Sequence, residues 1–287
     1  MIKEIPILRS IDKINTFDWI GNFDNLDEKF KAILREYNLD KFADQLLQSI
    51  RPRILMQRYY SRENKDSSFN IGCSKLAGNP DVPEDFDWPF WNEKPLNFLM
   101  QINLGEIRKN PANQFNLEKG MLYFFYDFYQ EEVGLDFPKN KGAWRVIYLD
   151  ERVSNLVRTK NPYHKDYFKS CKITFRSDIH LPMDNAQLFK KELISWENIG
   201  EMRLDYSHFV GDFFQYNFRC DNHALFGYAD WIQGNGYMGD WTLLLQLGTD
   251  IRLKWIWGDK GNIHFFIKQK DLKKNRFNNI RFRLDCY

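Results

Sequence analysis

The chain has 287 residues and carries 41 Lys and Arg against 39 Asp and Glu, a formal net charge of +2. That length allows one large domain or two ordinary ones, and so small a charge supplies no global field to draw in nucleic acid or an anionic membrane. Phe, Tyr and Trp make up 17% of the residues, a proportion that favours pleated sheets, where large rings bury much area, over a helical bundle.

At the N-terminus, "MIKEIPILRSIDKI" has no apolar run long enough for a signal peptide, and no later stretch approaches the roughly 18 apolar residues of a membrane span. The four cysteines, Cys73, Cys171, Cys220 and Cys286, stand singly with no C-x-x-C pair. They read as buried thiols, and a cytoplasmic location is expected. The first fifty residues are helical in pattern. Leu26, Phe30, Ile33, Leu34 and Tyr37 form one apolar stripe, with Asn25 and Glu28 at the spacing of a capping box. Phe42, Leu46 and Ile50 share the face of a second helix, which Pro52 is expected to stop; the helical part is set at 1–52.

From residue 70 the pattern changes to short apolar strands between Gly, Pro and Asp clusters, and four elements recur in one order. "GNPD" (78–81), "FLMQINL" (98–104), "KGMLYFFY" (119–126) and "RVIYLD" (145–150) are followed later by "GYAD" (227–230), "LLLQLG" (243–248), "KGNIHFFI" (260–267) and "IRFRLD" (280–285). The reading is one α+β domain over 1–287, mainly antiparallel, in which two pseudo-repeated β units, 70–150 and 220–287, share one core. Between them, 151–219 supplies a strand, "CKITFRSDIHLP", and a largely helical stretch over 184–216 with Asp184 as a candidate cap. "MLYFFY" is apolar at every position, so both of its faces are expected to be covered.

"CSKLAGNPDVPEDFDWP", "LNFLMQINLGEI", "KGMLYFFYD", "LFGYADWIQG", "LLLQLGTD" and "WIWGDKGNIHFFIKQKDL" resemble, in order, the blocks of the YwqG-like family, a mostly bacterial group of unknown function. The resemblance runs from Arg53 to Tyr287 and implies an α+β fold with a large antiparallel component. It places Gly78, Pro80, Asp81 and Pro83 in the family's Gly-x-Pro-x-x-Pro loop and Gln101 at its strand glutamine. Gly227, Tyr228 and Gln233 fall in its second Gly-Tyr-Pro loop, with Ala229 where the family has proline. His264 stands where the family has tyrosine. It names no catalytic residue, and it implies a role beside secreted toxins, such as neutralising one.

The residues themselves assemble no catalytic set. Asp81, Glu84, Asp85 and Asp87 could supply oxygen ligands to a hard cation, but Pro80 and Pro83 force extended or turn backbone around them and no EF-hand spacing is present. The loop around them reads as rigid punctuation, with Phe86, Trp88, Phe90 and Trp91 covering the end of the β core. "GNGYMG" (234–239) fits Gly-x-Gly-x-x-Gly but feeds a strand rather than a helix, which rejects a dinucleotide site. The five histidines, 164, 180, 208, 223 and 264, show no metal-binding spacing. His208 with Asp212, and His223 near Asp221, are acid/base pairs only if the fold seats them in one cleft.

Lys268 to Arg283, with seven basic residues and one acid, reads as a solvated sheet edge rather than a nucleic-acid surface. Gln101 and Gln246, each on an apolar strand, must find partners if buried. Either each ties a loop to its strand, or Gln101, Gln246, Asp81 and Asp230 converge on a polar pocket between the halves. The candidate binding residues are therefore Asp81, Trp88, Gln101, Asp230, Gln233 and Gln246, with no cofactor and no metal. The expected function is non-catalytic recognition of another protein; the alternative is a small-molecule binder or enzyme using the inter-repeat cleft.

Overall fold

The computed structural model describes residues 23–60, 66–113, 115, 117–128, 142–160, 162, 168–182, 196–210, 223–233 and 238–287. In chain order the elements are α1 (Phe23–Glu36), α2 (Ala43–Ser49), β1 (Arg51–Tyr59), β2 (Lys75–Leu76), β3 (Asp81–Val82), β4 (Phe90–Trp91), β5 (Lys94–Pro95) and β6 (Asn97–Asn103). Next come α3 (Leu104–Ile107), β7 (Met121–Tyr126), β8 (Trp144–Leu149), β9 (Val157–Arg158), β10 (Cys171–His180) and α4 (Trp196–Val210). The chain closes with β11 (Ala224–Phe226), β12 (Trp241–Gly248), β13 (Asn262–Lys268), α5 (Gln269–Leu272) and β14 (Ile280–Asp285).

Ten strands form one sheet in the order β14-β13-β12-β11-β1-β10-β2-β6-β7-β8, with every described pairing antiparallel. The fold is thus mainly antiparallel α+β, as the strand patterns predict. A first wing (β2, β6, β7, β8) and a second wing (β11 to β14) flank the central pair β1 and β10. The sheet curls until its two end strands meet: Trp144 of β8 stacks on Phe282 of β14 with ring centroids 5.2 Å apart, and its indole N–H donates to the Ile280 carbonyl at 3.1 Å.

Curling encloses an aromatic interior drawn from both wings. Side chains alternate along a strand, so Leu122, Phe124 and Tyr126 of β7 point into that interior, as do Ile263, Phe265 and Ile267 of β13. The Phe124 and Phe265 rings meet edge-on at 5.3 Å. On the other face of β7, Met121, Tyr123 and Phe125 are covered by Val82, Leu96, Phe86 and Trp88. This strand is buried on both faces, which is why it carries no polar alternation. The helices build a separate core: Phe30 and Leu34 of α1, Leu46 of α2 and Met202, Tyr206 and Phe209 of α4 close over Ile179 and Leu181.

Three expectations need correction. Pro52 does not end a helix: α2 stops at Ser49, and Pro52 is the second residue of β1, a strand at the centre of the sheet. It is accommodated because β11 pairs with β1 only from Arg53 onward, leaving one side of Pro52 without a ladder to break. Asn25 lies inside α1 rather than capping it. Phe90 does not cover the core; it is 53% exposed on the β4–β5 hairpin, whereas Phe86 and Trp88 do the covering. Asp184, His164, Cys220, Asp212, Asp221 and most of the 234–239 glycine loop lie outside the described residues.

Candidate functional site

Each wing begins with the same local device. After β2 the chain passes through Ala77 and Gly78, with φ of 55° and 75°; after β11 it passes through Phe226 and Gly227, with φ of 65° and 75°. Glycine is required at the second position twice over. The left-handed backbone disfavours a side chain, and a Cβ on Gly78 would lie 2.4 Å from the Asp66 carboxylate. The turn delivers an aspartate onto a strand glutamine. The Asp81 N–H donates to Gln101 Oε1 at 2.7 Å while Gln101 Nε2 donates to Asp81 Oδ2 at 2.8 Å. In the second wing the Asp230 N–H donates to Gln246 Oε1 at 2.8 Å and Gln246 Nε2 donates to Asp230 Oδ2 at 2.7 Å. Both amides are thereby spent on their own aspartates.

The surroundings of the two aspartates differ. Arg158 grips Asp81 with Nε on Oδ1 at 2.7 Å and Nη2 on Oδ2 at 3.2 Å, and the Gly72 N–H donates to Oδ2 at 2.9 Å. Fully buried Lys75 lies 3.5 Å from Asp81 and 3.4 Å from Asp66, and donates to the Asn79 carbonyl at 2.5 Å. Burial by itself would raise the Asp81 pKa, but Arg158, Lys75, the Gly72 amide and Gln101 outweigh it and hold the carboxyl below its ordinary range. Burial also pulls the Lys75 ammonium down, against the opposing pull of Asp81 and Asp66.

Around Asp230 the partner is a histidine. His180 Nδ1 accepts the Tyr228 N–H at 3.2 Å, which puts the ring proton on Nε2, 3.1 Å from Asp230 Oδ1. Burial and neighbouring Arg53 lower the His180 pKa. Burial opposes ionisation of Asp230, yet His180, Arg53 and Gln246 together hold its pKa well below the ordinary carboxylate range. Arg53 is itself committed to Asp178 through Nε and Nη2, both at 2.9 Å.

Of the remaining candidates, Trp88 is a half-buried cover: its indole N–H donates to the Leu96 carbonyl at 2.9 Å and its ring meets Phe125 edge-on at 5.3 Å. Gln233 has an exposed side chain, and its backbone N–H donates to the Asp285 carboxylate at 3.2 Å. The structure brings Asp81 to Gln101 and Asp230 to Gln246 but does not join the two pairs, because four strands separate β6 from β12 in the sheet. Glu84, Asp85 and Asp87 are exposed and do not join Asp81.

A further aspartate, buried Asp250, went unread in the sequence. Asp250 Oδ1 accepts the N–H groups of Arg252 at 3.0 Å and Leu253 at 3.2 Å, closing a short 3-10 turn over Ile251–Leu253. Its Oδ2 receives Arg58 at 2.6 Å and the Tyr60 hydroxyl, and lies 3.4 Å from His223 Nε2. Asp250 and Trp255 also exchange both backbone hydrogen bonds, at 2.8 and 2.9 Å. Trp255 and Trp257 are driven into the core, which turns Ile251 and Ile256 outward, 71% and 56% exposed. The Arg252 guanidinium lies 4.8 Å above the Tyr60 ring beside them. The one textual signal was the Gly-Thr-Asp that ends "LLLQLGTD", since a short polar side chain after a strand is a natural turn cap.

Chemically these centres are restrained. His223 Nδ1 accepts the Gly248 N–H at 3.2 Å, so His180 and His223 each have one ring nitrogen taken by backbone and the other turned to a carboxylate. Both ring nitrogens of each are engaged, His223 Nε2 also lying 3.3 Å from Arg58 Nη1, so neither ring is open to a substrate proton. Burial raises the Cys73 pKa and pushes Cys171 up to about 11, so neither thiol is activated. Among the described residues no group of three or more His, Cys, Asp or Glu is placed to hold a metal ion, and no described helix is long and apolar enough to cross a membrane.

A comparison with curated proteins finds no match to the chain. A family model described as a domain of unknown function (DUF1963) matches residues 74–286. The match takes in both Asp–Gln pairs and Asp250 but stops short of central strand β1. Since it covers about three-quarters of the sequence, the chain belongs to the DUF1963 family.

Proposed function

We propose that this protein is a non-catalytic binding module that recognises another protein through the Asp250-fastened loop of the second wing. The observation that carries the reading is the outward pair Ile251 and Ile256, set beside Tyr60 and Arg252 on a loop pinned by Asp250 and two buried tryptophans. Exposed apolar side chains on a pre-ordered loop lose little entropy on binding, and Tyr and Arg are the residue types that dominate interface energetics. A YwqG-like, duplicated, cytoplasmic bacterial protein fits the same reading, with a secreted toxin as the class of partner to try first. The duplication is supported by the matched turns and matched Asp–Gln pairs. The alternative, a small-molecule site shared between the wings, has no observation in its favour, since each glutamine is committed to its own aspartate.

The test is quantitative capture from lysate of expressing cells, comparing the unaltered protein with Ile251→Asp/Ile256→Asp. A protein retained by the first and released by the second, with both melting alike, is the expected result. Identical capture profiles, or turnover of a small molecule that survives the double substitution, would contradict the reading.

A further inference from the structure

A second feature lies away from that loop. A cavity of about 560 Å3 opens between the start of β12 at Trp241, the end of β13 at Lys268, the following turn with Lys270 and Lys273, and Arg51 at the start of β1. This volume is that of a small-ligand site. Four cations line it against one carboxylate, Asp240, and that carboxylate is already held by Lys268 at 3.0 Å. Among the described residues no ion pair engages Arg51, Lys270 or Lys273.

Arg51 is also pre-oriented. Its guanidinium lies 4.1 Å above the Tyr228 ring, and the Tyr228 hydroxyl is fixed by donating to the Ser49 carbonyl at 2.6 Å. A planar fork held by stacking suits phosphate oxygens, with flexible lysines adding point charges around it. Elsewhere in the basic C-terminal run, Arg281 and Arg283 lie 4.8 and 4.5 Å over the Trp241 and Trp231 rings, and Lys274 and Arg276 are exposed outside the cavity. Arg51, Lys268, Lys270 and Lys273 surround a hollow rather than track along a groove, which favours a compact ligand over a nucleic-acid strand.

We propose that this cavity binds a compact polyanion of the phosphate class, between pyrophosphate and a nucleotide in size, recognised by Arg51, Lys270 and Lys273. The test is calorimetric titration of the full chain with inorganic pyrophosphate and with ATP, at 50 and 200 mM salt. Saturable one-site binding that weakens with salt is expected, with affinity falling about tenfold or more in Arg51→Gln and in Lys273→Gln. Lys273→Gln is exposed and keeps the assay interpretable if Arg51→Gln melts early. Arg276→Gln, outside the cavity, is the control and leaves binding unchanged. The proposal is overturned by absence of saturable binding, by an equal loss in Arg276→Gln, or by an oligonucleotide binding more tightly than either small anion. Ile251→Asp/Ile256→Asp leaves pyrophosphate binding intact, so failure of the protein-recognition reading is distinguishable from failure of this one.

Discussion

The first and second wings use the same pair of hydrogen bonds and neutralise it differently. Asp81 sits among full charges, Arg158 and Lys75, while Asp230 faces the neutral ring of His180. A second contrast follows one strand over. Tyr123 of β7 donates its hydroxyl to the Asp81 carbonyl at 2.5 Å; in the matching position of β13, His264 donates Nε2–H to Gln246 Oε1 at 3.0 Å and leaves its buried Nδ1 without a partner. A hydrogen-bond scaffold can therefore stay fixed while the charges around it change, and that change decides how each wing answers acid and mutation.

The largest expected effect separates the two aspartates. Asp81→Ala strands Arg158 and Lys75 with too few anions, and loss of one partner from a buried ion pair costs about 3–5 kcal/mol. Asp230→Ala removes a carboxylate whose contacting partner, His180, is uncharged and leaves nearby Arg53 paired with Asp178, and is expected to cost about 1–3 kcal/mol, the range for an orphaned buried hydrogen-bonding group. Urea denaturation of the two variants measures this directly. An Asp230→Ala loss as large as that of Asp81→Ala would break the contrast.

Acid sharpens it next. The His264 pKa is pushed down to about 3 by burial, with Arg283 adding to the fall. The folded ring is thus neutral where the unfolded ring, near 6.5, takes up a proton. The stability it contributes is complete above about pH 6.5 and is lost as pH falls from there toward 3, reaching about 2 kcal/mol lost at pH 5. Hydrogen-exchange protection factors, which correct for the slower intrinsic exchange in acid, are expected to fall in β12 and β13 between pH 7 and 5 while those of β6 and β7 hold, because the lowered pKa of Asp81 confines its loss to pH below about 4. His264→Tyr, which copies Tyr123, is expected to remove most of that acid loss. Equal loss of protection in both wings would contradict the assignment.

The smallest effect belongs to the exposed loop. Ile251→Asp changes stability by less than about 0.5 kcal/mol, because its side chain is 71% exposed. A larger drop in the urea midpoint would mean that the loop is packed rather than displayed.

What was legible in the sequence was what lies close together along the chain. "MLYFFY" announced a strand covered on both faces, and the matched Asp and Gln spacings left two alternatives, a loop tied to each strand or a shared polar pocket. The cations were not legible. Arg158 reaches Asp81 from 77 residues away, and no local pattern marks it. His180 looked like any histidine at the end of a strand. β1 escaped because "RPRILMQRY" has a proline at its second position, which reads as a helix stop until the late start of β11 explains how a central strand tolerates it. Lys75 carried no signal because charge is normally solvated; the carboxylates of Asp66 and Asp81 and the Asn79 carbonyl offset its burial.

Two double-mutant cycles, Asp81→Ala with Gln101→Leu and Asp230→Ala with Gln246→Leu, test most directly whether these residues are matched structural fasteners. Both pairs are predicted to couple by about 1–2 kcal/mol, within about 0.5 kcal/mol of each other, since the hydrogen bonds compared are the same. A coupling near zero in either wing would contradict the account.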